Sequence, residues 1–435
     1  MCATRFRINL KAEVNMKRVA IVGGKRIPFA RSFTSYMGVR NQDLMVTAVR
    51  AVVDSFKLKD QILGEVVLGS VIKHSSDWNF SREVTLNSGL SWRTPAYDVS
   101  QACGTSLEAT IAVANKIMLG QIECGIAGGV DSNSDLPIVF SNRFAHVMLQ
   151  ANKEKTLMGK LKQFATLRPD DLRPRMPGVV EPSTGLSMGQ SCEKMAKEWQ
   201  ISRADQDELA LRSHMSATKA WHKGFYSDLV VACNGLDTDN NVRAETSLEK
   251  LGQLKPAFDK ANGTLTAGNS SALSDGAACV LLASEEWAKS KGLPILAYFT
   301  HCETAAVEFM QADGLLMAPA YAVPRMLSRA GLKLQDFDFY EIHEAFAAQV
   351  LCTLKAWNSD QFCRDRLGLP GALGEIDRSK MNVKGGSVAL GHPFAATGAR
   401  IVSSLAKILN EAGKGRGLIS ICTGGGMGVT AILEK

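Results

Sequence analysis

Residues 95–130, PAYDVSQACGTSLEATIAVANKIMLGQIECGIAGGV, decide the fold class of this chain. A short strand over Pro95–Val99 leads into Cys103, and apolar residues then recur at helical spacing over Thr105–Leu119. A buried-type strand, Gly125–Val130, follows and ends in two glycines. Strand, helix and strand in close succession indicate an α/β fold.

The same alternation continues through the rest of the chain. We predict strands at Val19–Val22, Glu65–Ile72, Phe337–Ile342 and Arg416–Cys422, and helices at Gln42–Phe56, Glu344–Trp357 and Thr397–Leu409. In both halves a residue with reactive chemistry, Cys103 or His392, precedes a long helix, and a strand ending in glycines follows. This internal repeat predicts two similar halves.

Composition excludes several classes of protein. The chain has 435 residues, of which 46% are hydrophobic and 21% charged, which is typical of a globular enzyme and not of a disordered, collagen-like or coiled-coil protein. At about 150 residues per domain, we expect two or three domains or one duplicated unit. The sequence contains no apolar run long enough to span a membrane. The ten cysteines include no C-x-x-C pair, so we expect free thiols in a reducing compartment.

Basic residues are concentrated in one segment. The net charge is +7, and residues 141–180 carry eight basic and three acidic residues. Apolar residues at helical spacing over Asn142–Leu149 and Leu157–Phe164 predict two amphipathic helices there. Such a segment either binds an anionic partner or a membrane surface, or packs on the core as a solvated lid. Residues 1–15 are basic but lack serine, and we expect a short extension there rather than a mitochondrial presequence.

Cys103 is the candidate nucleophile. It follows a predicted strand and opens a predicted helix, and the N–H groups at a helix N-terminus favour a thiolate over a thiol. The alternative is a small buried core cysteine. Because Gly104 follows and lets the backbone approach a ligand, the context favours the nucleophile.

Two further residues have the chemistry that a nucleophilic cysteine needs. His392 lies in GGSVALGHP, residues 385–393, where it can project into a site as a general base. Cys422 ends the strand GLISIC and precedes Thr423 and three glycines, whose N–H groups suit an oxyanion hole. The alternatives are that His392 is a turn histidine bonded to the backbone and that Cys422 is a core cysteine at a strand end.

Other enzyme classes have weaker support. Ser187 lies in GLSMG, which matches the G-x-S-x-G elbow of serine hydrolases, but the prolines before it are incompatible with the central strand that the elbow requires. His343 in EIHEAF does not match the zinc motif H-E-x-x-H, because residue 347 is alanine. Neither a P-loop nor a dinucleotide-binding glycine motif after a strand is present.

Four blocks together resemble the thiolase family: SQACGTS around Cys103, EIHEAF around His343, NVKGGSVALGHPFAATGAR around His392, and CTGGGMG at Cys422. The resemblance extends from about Lys17 to the C-terminus. It implies duplicated βαβαβαββ halves in a five-layer αβαβα arrangement with an inserted loop domain. It implies an N-terminal half at residues 16–285, with the insertion at about 131–265, and a C-terminal half at 286–435.

The resemblance implies an acyltransferase that cleaves 3-oxoacyl-CoA with CoA. Cys103 attacks the 3-keto carbon and carries the acyl group, His392 is the general base, and Cys422 protonates the departing carbanion. Coenzyme A is a substrate, and neither a permanently bound cofactor nor a metal is expected. A homodimer or homotetramer in the cytoplasm is implied, with no nucleic acid as a partner.

The resemblance also implies two oxyanion holes. The N–H groups of Cys103 and Gly424 hold the ketone or acyl oxygen, and His392 with His343 holds the CoA thioester oxygen. Two residues are expected to contact CoA or the acyl chain: Ser271 and Met188.

Two features depart from the general family pattern. His343 replaces the asparagine of many thiolases, and this HEAF form resembles the β-subunits of the trifunctional fatty-acid oxidation complex. Ala395 replaces a glycine. The first departure and the basic segment 141–180 favour a degradative enzyme for medium or long chains, with an α-subunit partner and a peripheral membrane contact. A biosynthetic acetoacetyl-CoA thiolase is the alternative, followed by a decarboxylating condensing enzyme and a non-catalytic subunit, which the set of Cys103, His392 and Cys422 disfavours.

Overall fold

The computed structural model describes residues 16–435 with the exception of Pro177, so the extension predicted over residues 1–15 lies outside the described part of the chain. The described residues form ten strands: β1 (Val19–Arg26), β2 (Ala30–Arg31), β3 (Glu65–Leu68), β4 (Ala96–Asp98), β5 (Cys124–Asp131), β6 (Ser274–Ser284), β7 (Ala297–Ala306), β8 (Phe339–Ile342), β9 (Arg416–Thr423) and β10 (Met427–Glu434).

The α-helices of the described residues are α1 (Asn41–Ser55), α2 (Phe80–Asn87), α3 (Thr105–Met118), α4 (Asn142–Lys153), α5 (Leu157–Phe164), α6 (Met188–Glu198), α7 (Arg203–His222), α8 (Leu248–Gly252), α9 (Glu285–Ser290), α10 (Pro319–Ala330), α11 (Ala347–Trp357), α12 (Asp360–Leu367), α13 (Ser387–Leu390) and α14 (Thr397–Ala412). None of these helices is both long enough and apolar enough to cross a membrane.

The strand order of the main sheet displays the predicted repeat. The order is β4-β3-β5-β6-β1-β7-β10-β9-β8. Outward from the centre, β1–β6 and β7–β10 are antiparallel, β6–β5 and β10–β9 are antiparallel, and β5–β3 and β9–β8 are parallel. The two halves meet where Val19–Ile21 of β1 pair with Ala297–Phe299 of β7. The predicted duplication is therefore confirmed.

Alternate residues of β1 belong to two different cores. Val19 and Ile21 pack in one cluster with apolar residues of α3 and α14, whereas Ala20 and Val22 pack in another with residues of α1. Successive side chains of a strand point to opposite faces, so a strand that is apolar throughout must be covered on both sides.

Helices α3 and α14 form the central layer between the two halves. Their apolar residues share one core with strands from both halves. A Cβ at Gly398 of α14 would lie 2.4 Å from the backbone nitrogen of Leu107 in α3, so only glycine permits this close approach. Helix α1 covers the outer face of the sheet in the first half, and α10 and α11 cover it in the second. Each half of the sheet therefore lies between an outer helix layer and the shared central layer, which gives the predicted five layers.

Two elements are shorter than the sequence predicts by three residues or more. The strand at residue 65 ends at Leu68 rather than at Ile72, because the N–H group of Ile72 donates to the Asp131 carboxylate instead of a neighbouring strand. The helix predicted from Glu344 begins at Ala347. The buried Glu344 carboxylate accepts a hydrogen bond from the Val388 N–H, and this contact holds residues 344–346 in a loop before α11.

The segment between β5 and β6 leaves the sheet and contains α4 to α8. Helices α4 and α5 lie where the sequence predicts them, and the side chains of Ser141 and Thr156 cap their N-termini by accepting hydrogen bonds from the N–H groups of Phe144 and Gly159. Many large apolar side chains here are exposed: Met148, Leu149, Leu157, Met158, Leu161 and Phe164.

Candidate active site

Cys103 lies on a tight turn at the junction of β4 and α3. The turn is a 3-10 helix over Ala102–Gly104. Ala102 has a φ of 45°, in the left-handed region that residues other than glycine rarely adopt. The backbone N–H groups of Cys103 and Gly424 lie close enough to the sulfur to lower the pKa of the thiol. The predicted nucleophile is therefore presented with two backbone donors beside it.

His392 contacts Cys103 directly. Its Nε2 lies 3.1 Å from Cys103 Sγ, and its Nδ1 lies 2.6 Å from Thr397 Oγ1. The Thr397 hydroxyl donates to the Pro393 carbonyl oxygen at 3.3 Å, so His392 Nδ1 is the nitrogen that carries a proton and donates it to Thr397. Nε2 then presents a lone pair to the Cys103 thiol, as a general base requires.

Burial favours the neutral form of both members of this pair. Burial raises the pKa of Cys103 to about 12, although the two backbone N–H groups act in the opposite direction. Burial also lowers the pKa of His392 to about 3, and the charge of Arg400 contributes. Lost solvation of the sulfur thus opposes the thiolate that the partial charge of the helix N-terminus favours. The proton leaves Cys103 only as the sulfur attacks.

Cys422 lies at the end of β9 and lines the same cavity as Cys103. Burial raises the pKa of its thiol well above the ordinary value, and the nearby Cys103 raises it further. A thiol that remains protonated is suited to proton donation. Beyond it, Gly425 and Gly426 have φ values of 77° and 68°, and these left-handed residues shape the turn that follows Gly424.

His343 lies behind His392, just after β8. The ring centroids of the two histidines are 4.2 Å apart. One nitrogen of each ring and Cys103 Sγ all lie within 4.8 Å of one another. His343 Nδ1 lies 2.8 Å from Ser387 Oγ, and His343 Nε2 has no hydrogen-bond partner among the described residues.

A cavity of about 350 Å³ opens at Cys103. Most of its wall is apolar: Val71, Ile72, Val179, Val180, Leu273, Leu316, Phe346 and Phe394. Met188 and Ser271 also line it, and the Ser271 hydroxyl donates to the Ala345 carbonyl oxygen at 2.8 Å. The geometry thus joins a thiol–imidazole pair to a space suited to an apolar chain.

Two buried carboxylates that our sequence analysis missed hold the walls of this site. Asp131 accepts hydrogen bonds from the N–H groups of Ile72 and Ala395, both at 2.7 Å, and so ties the cavity wall to the turn after His392. Glu181 accepts a hydrogen bond from Gly425 N–H at 2.9 Å. The position of Asp131 at the end of an apolar strand was the one signal available in the sequence.

Ser187 has a structural role instead of the hydrolase role considered for it. Its hydroxyl accepts from the Gln190 N–H at 3.2 Å, and the Gln190 side chain accepts from the Ser187 N–H at 2.9 Å. This reciprocal pair is a capping box that begins α6. Only an isolated bridge with Val180, and no strand, precedes Ser187 in the described segment, so the hydrolase interpretation fails.

Comparisons with known proteins cover nearly the whole chain. A family model described as the N-terminal domain of thiolase matches residues 19–286, and one described as the C-terminal domain of thiolase matches residues 293–435. A 3-ketoacyl-CoA thiolase of Pectobacterium carotovorum subsp. carotovorum is 46% identical over 96% of this chain and 96% of its own length. A protein of the same description from Yersinia pestis is 44% identical over 96% and 97%, respectively.

Solved structures agree with these matches. An acetyl-CoA acetyltransferase of Bacillus anthracis superimposes with a TM-score of 0.81 and 31% identity, covering 97% of this chain and all of its own. Human mitochondrial 3-ketoacyl-CoA thiolase superimposes with a TM-score of 0.79 and 27% identity over the same shares. Domain matches, sequence identity and duplicated fold together show that this chain belongs to the thiolase family.

Proposed function

We propose that the chain is a 3-ketoacyl-CoA thiolase (acetyl-CoA C-acyltransferase), which cleaves 3-oxoacyl-CoA with CoA to give acyl-CoA and acetyl-CoA. The observation that carries the proposal is the 3.1 Å contact between Cys103 Sγ and His392 Nε2 in a cavity that Cys422 also lines. Breaking a carbon–carbon bond beside a thioester needs a nucleophile for the ketone and a proton donor for the leaving enolate. The two thiols supply these two groups.

In the first half-reaction the sulfur of Cys103 attacks the 3-keto carbon while His392 Nε2 takes the thiol proton. The bond between C2 and C3 then breaks, and its electron pair forms the enolate of acetyl-CoA. Cys422 donates a proton to C2, and acetyl-CoA leaves. Cys103 holds the shortened acyl chain as a thioester, and the His392 imidazolium returns its proton to the Cys422 thiolate.

In the second half-reaction His392 Nε2 takes the proton of the incoming CoA thiol. The CoA sulfur attacks the acyl carbon, and the bond to Cys103 breaks. The imidazolium then protonates the departing Cys103 sulfur, which restores the resting site. The low pKa of His392 favours this return of the proton.

Two groups of donors are suited to the negative oxygens of these steps. The N–H groups of Cys103 and Gly424 lie beside the sulfur and are proposed to bind the oxygen that forms on the attacked carbon. His343, together with His392 once it has taken the thiol proton, is proposed to bind the CoA thioester oxygen. Donors fixed before the reaction need no reorganisation as charge develops.

We infer a role in fatty acid β-oxidation with medium or long acyl chains. The apolar lining of the cavity favours an acyl chain over a bare acetyl group, because each buried methylene contributes about 0.8 kcal/mol. The likeness to an acetyl-CoA acetyltransferase supplies the second candidate, a biosynthetic acetoacetyl-CoA thiolase. A substrate series from acetoacetyl-CoA to 3-oxodecanoyl-CoA separates them: kcat/KM rising with length supports degradation, and a maximum at acetoacetyl-CoA supports the alternative.

The proposal extends to assembly and domain organisation. We propose a homodimer or homotetramer in the cytoplasm, with CoA as a substrate and without a resident cofactor. The exposed apolar and basic surface of α4 and α5 is proposed to contact a membrane or an α-subunit with hydratase and dehydrogenase activity. The two halves are proposed to be residues 16–285, which include an insertion at about 131–265, and residues 286–435.

The activity is tested by incubating the purified protein with 3-oxodecanoyl-CoA and CoA. We expect acetyl-CoA and octanoyl-CoA in equal amounts, at a rate that depends on CoA. Hydrolysis without added CoA, or no cleavage at all, would exclude the proposed reaction.

A further inference from the structure

A chain of hydrogen bonds runs from a buried arginine to His343. Arg400 Nη2 lies 2.7 Å from Ser387 Oγ, and the same oxygen lies 2.8 Å from His343 Nδ1. All three residues are buried, with exposures of 2%, 0% and 1% for Arg400, Ser387 and His343. A guanidinium group can only donate, so Arg400 occupies one lone pair of Ser387 Oγ.

The proton of the Ser387 hydroxyl decides the tautomer of His343. Among the described residues, Ser387 Oγ has hydrogen-bond contacts to Arg400 and His343 alone. If His343 Nδ1 donated to this oxygen, the Ser387 proton would be buried without an acceptor, which is costly. If Ser387 donates to Nδ1, its hydroxyl proton and Nδ1 are both paired, and only His343 Nε2 is left without a partner, whereas the other arrangement leaves both the Ser387 proton and Nε2 unpaired. A neutral His343 then carries its one proton on Nε2.

His343 remains neutral in this environment. Burial lowers its pKa well below the ordinary value, and His392 and Arg400 lower it further. Glu341 Oε2 lies 3.7 Å from Arg400 Nη1, although burial raises the pKa of this carboxyl to about 8. His343 Nε2–H is therefore a buried donor without a partner among the described residues, in the cluster that contains Cys103 Sγ.

We propose that Arg400 and Ser387 are positioning residues that hold His343 as the Nε2–H tautomer, so that it donates to the thioester oxygen of CoA substrates, directly or through one water. This inference rests on the function proposed above. His392 is held in the opposite tautomer by Thr397, with an unprotonated Nε2 facing Cys103. Two adjacent hydroxyl side chains thus make one imidazole a donor and its neighbour a base.

A double-mutant cycle tests the proposal. Ser387→Ala should lower kcat about 10- to 100-fold with a smaller change in KM, because an oxyanion donor is lost in part of the molecules. In a His343→Asn background the amide presents its N–H donors without any tautomer to select. There, Ser387→Ala should change kcat less than about 2-fold relative to His343→Asn alone. Equal losses in both backgrounds, or no loss in the wild-type background, would overturn the proposal.

A measurement on the unsubstituted protein keeps the test independent of folding. In protein labelled with [15N]histidine, the ring-nitrogen shifts of His343, assigned by comparison with His343→Asn, should show a protonated Nε2. A protonated Nδ1 would refute the relay. Failure of the proposed function is a separate result, namely wild-type protein that does not cleave 3-oxodecanoyl-CoA with CoA.

Discussion

His392 Nε2 lies 3.1 Å from Cys103 Sγ, although 289 positions separate the two residues in the sequence. Cys103 precedes α3 in the first half, and His392 precedes α14 in the second. These two helices pack together in the central layer, with their N-terminal turns in contact. The duplication of the fold therefore brings the nucleophile and its base together.

Replacing Cys103 with serine should lower thiolysis by several orders of magnitude, because an alcohol is a far weaker nucleophile than a thiol at neutral pH. The measurement is the steady-state rate of CoA-dependent cleavage. Cys302→Ser is the matched control, since Cys302 is also half-buried but lies on β7 outside the cavity lining. Near-normal turnover by Cys103→Ser would refute its role.

Replacing Cys422 with alanine should separate proton transfer from acylation. We expect strongly reduced thiolysis and reduced exchange of the α-protons of acetyl-CoA with deuterium oxide. Acyl transfer from octanoyl-CoA to Cys103 should partly persist, because the Cys103–His392 contact is unchanged. Cys192→Ala makes the same change in the same core cluster and controls for packing. Lost acylation with intact α-proton exchange would contradict the assignment.

The alkylation of Cys103 by iodoacetamide should accelerate continuously with pH. Because burial raises the pKa of this thiol to about 12, the thiolate fraction grows about tenfold for each pH unit through the neutral range. Labelling of the Cys103 peptide, followed by mass spectrometry between about pH 6 and pH 9, measures this rate. A rate that is flat across the range would indicate a resting thiolate–imidazolium pair instead.

His214 should reduce the stability of the protein in acid. Burial lowers its pKa to about 4, below the value of about 6.5 in an unfolded chain. Between these values the unfolded chain binds the proton and the folded chain does not. The free energy of unfolding is therefore unaffected by His214 above about pH 6.5 and falls as the pH is lowered below that value. His214→Gln should show a smaller fall in urea-unfolding free energy between pH 7 and pH 5. An equal fall would contradict the prediction.

The basic and apolar surface of α4 and α5 should contribute to membrane binding and not to catalysis. Lys160 and Lys162 are exposed beside exposed Leu157 and Leu161. Changing both lysines to glutamine should weaken sedimentation with anionic phospholipid vesicles and leave acetoacetyl-CoA cleavage nearly unchanged. The same changes at exposed Lys333 and Lys414 provide the control. A raised KM for CoA with unchanged sedimentation would instead indicate a site for CoA phosphates.

The sequence predicts the fold class, the duplication and the positions of Cys103, His392 and Cys422 well. These features depend on local patterns: apolar periodicity, glycine-rich turns, and reactive residues at the starts of helices. The ends of elements are less predictable where tertiary contacts decide them. Glu344, for example, accepts a hydrogen bond from Val388 and delays the start of α11.

The supporting residues and the protonation states are not visible in local sequence. Ser387 and Arg400 lie in one block of sequence, but their contact with His343 depends on the packing of three separate elements. A helix N-terminus at Cys103 is visible in the sequence, whereas the burial that raises the pKa of its thiol is a property of the folded chain.

Mass spectrometry of the acylated protein tests the central claim most directly. The protein is incubated with octanoyl-CoA, quenched in acid and digested, and each cysteine peptide is examined for an added octanoyl group. We expect this adduct on the peptide that contains Cys103, and we expect it to disappear when CoA is added before quenching. An unmodified Cys103 peptide, or an octanoyl group on another cysteine, would contradict the claim.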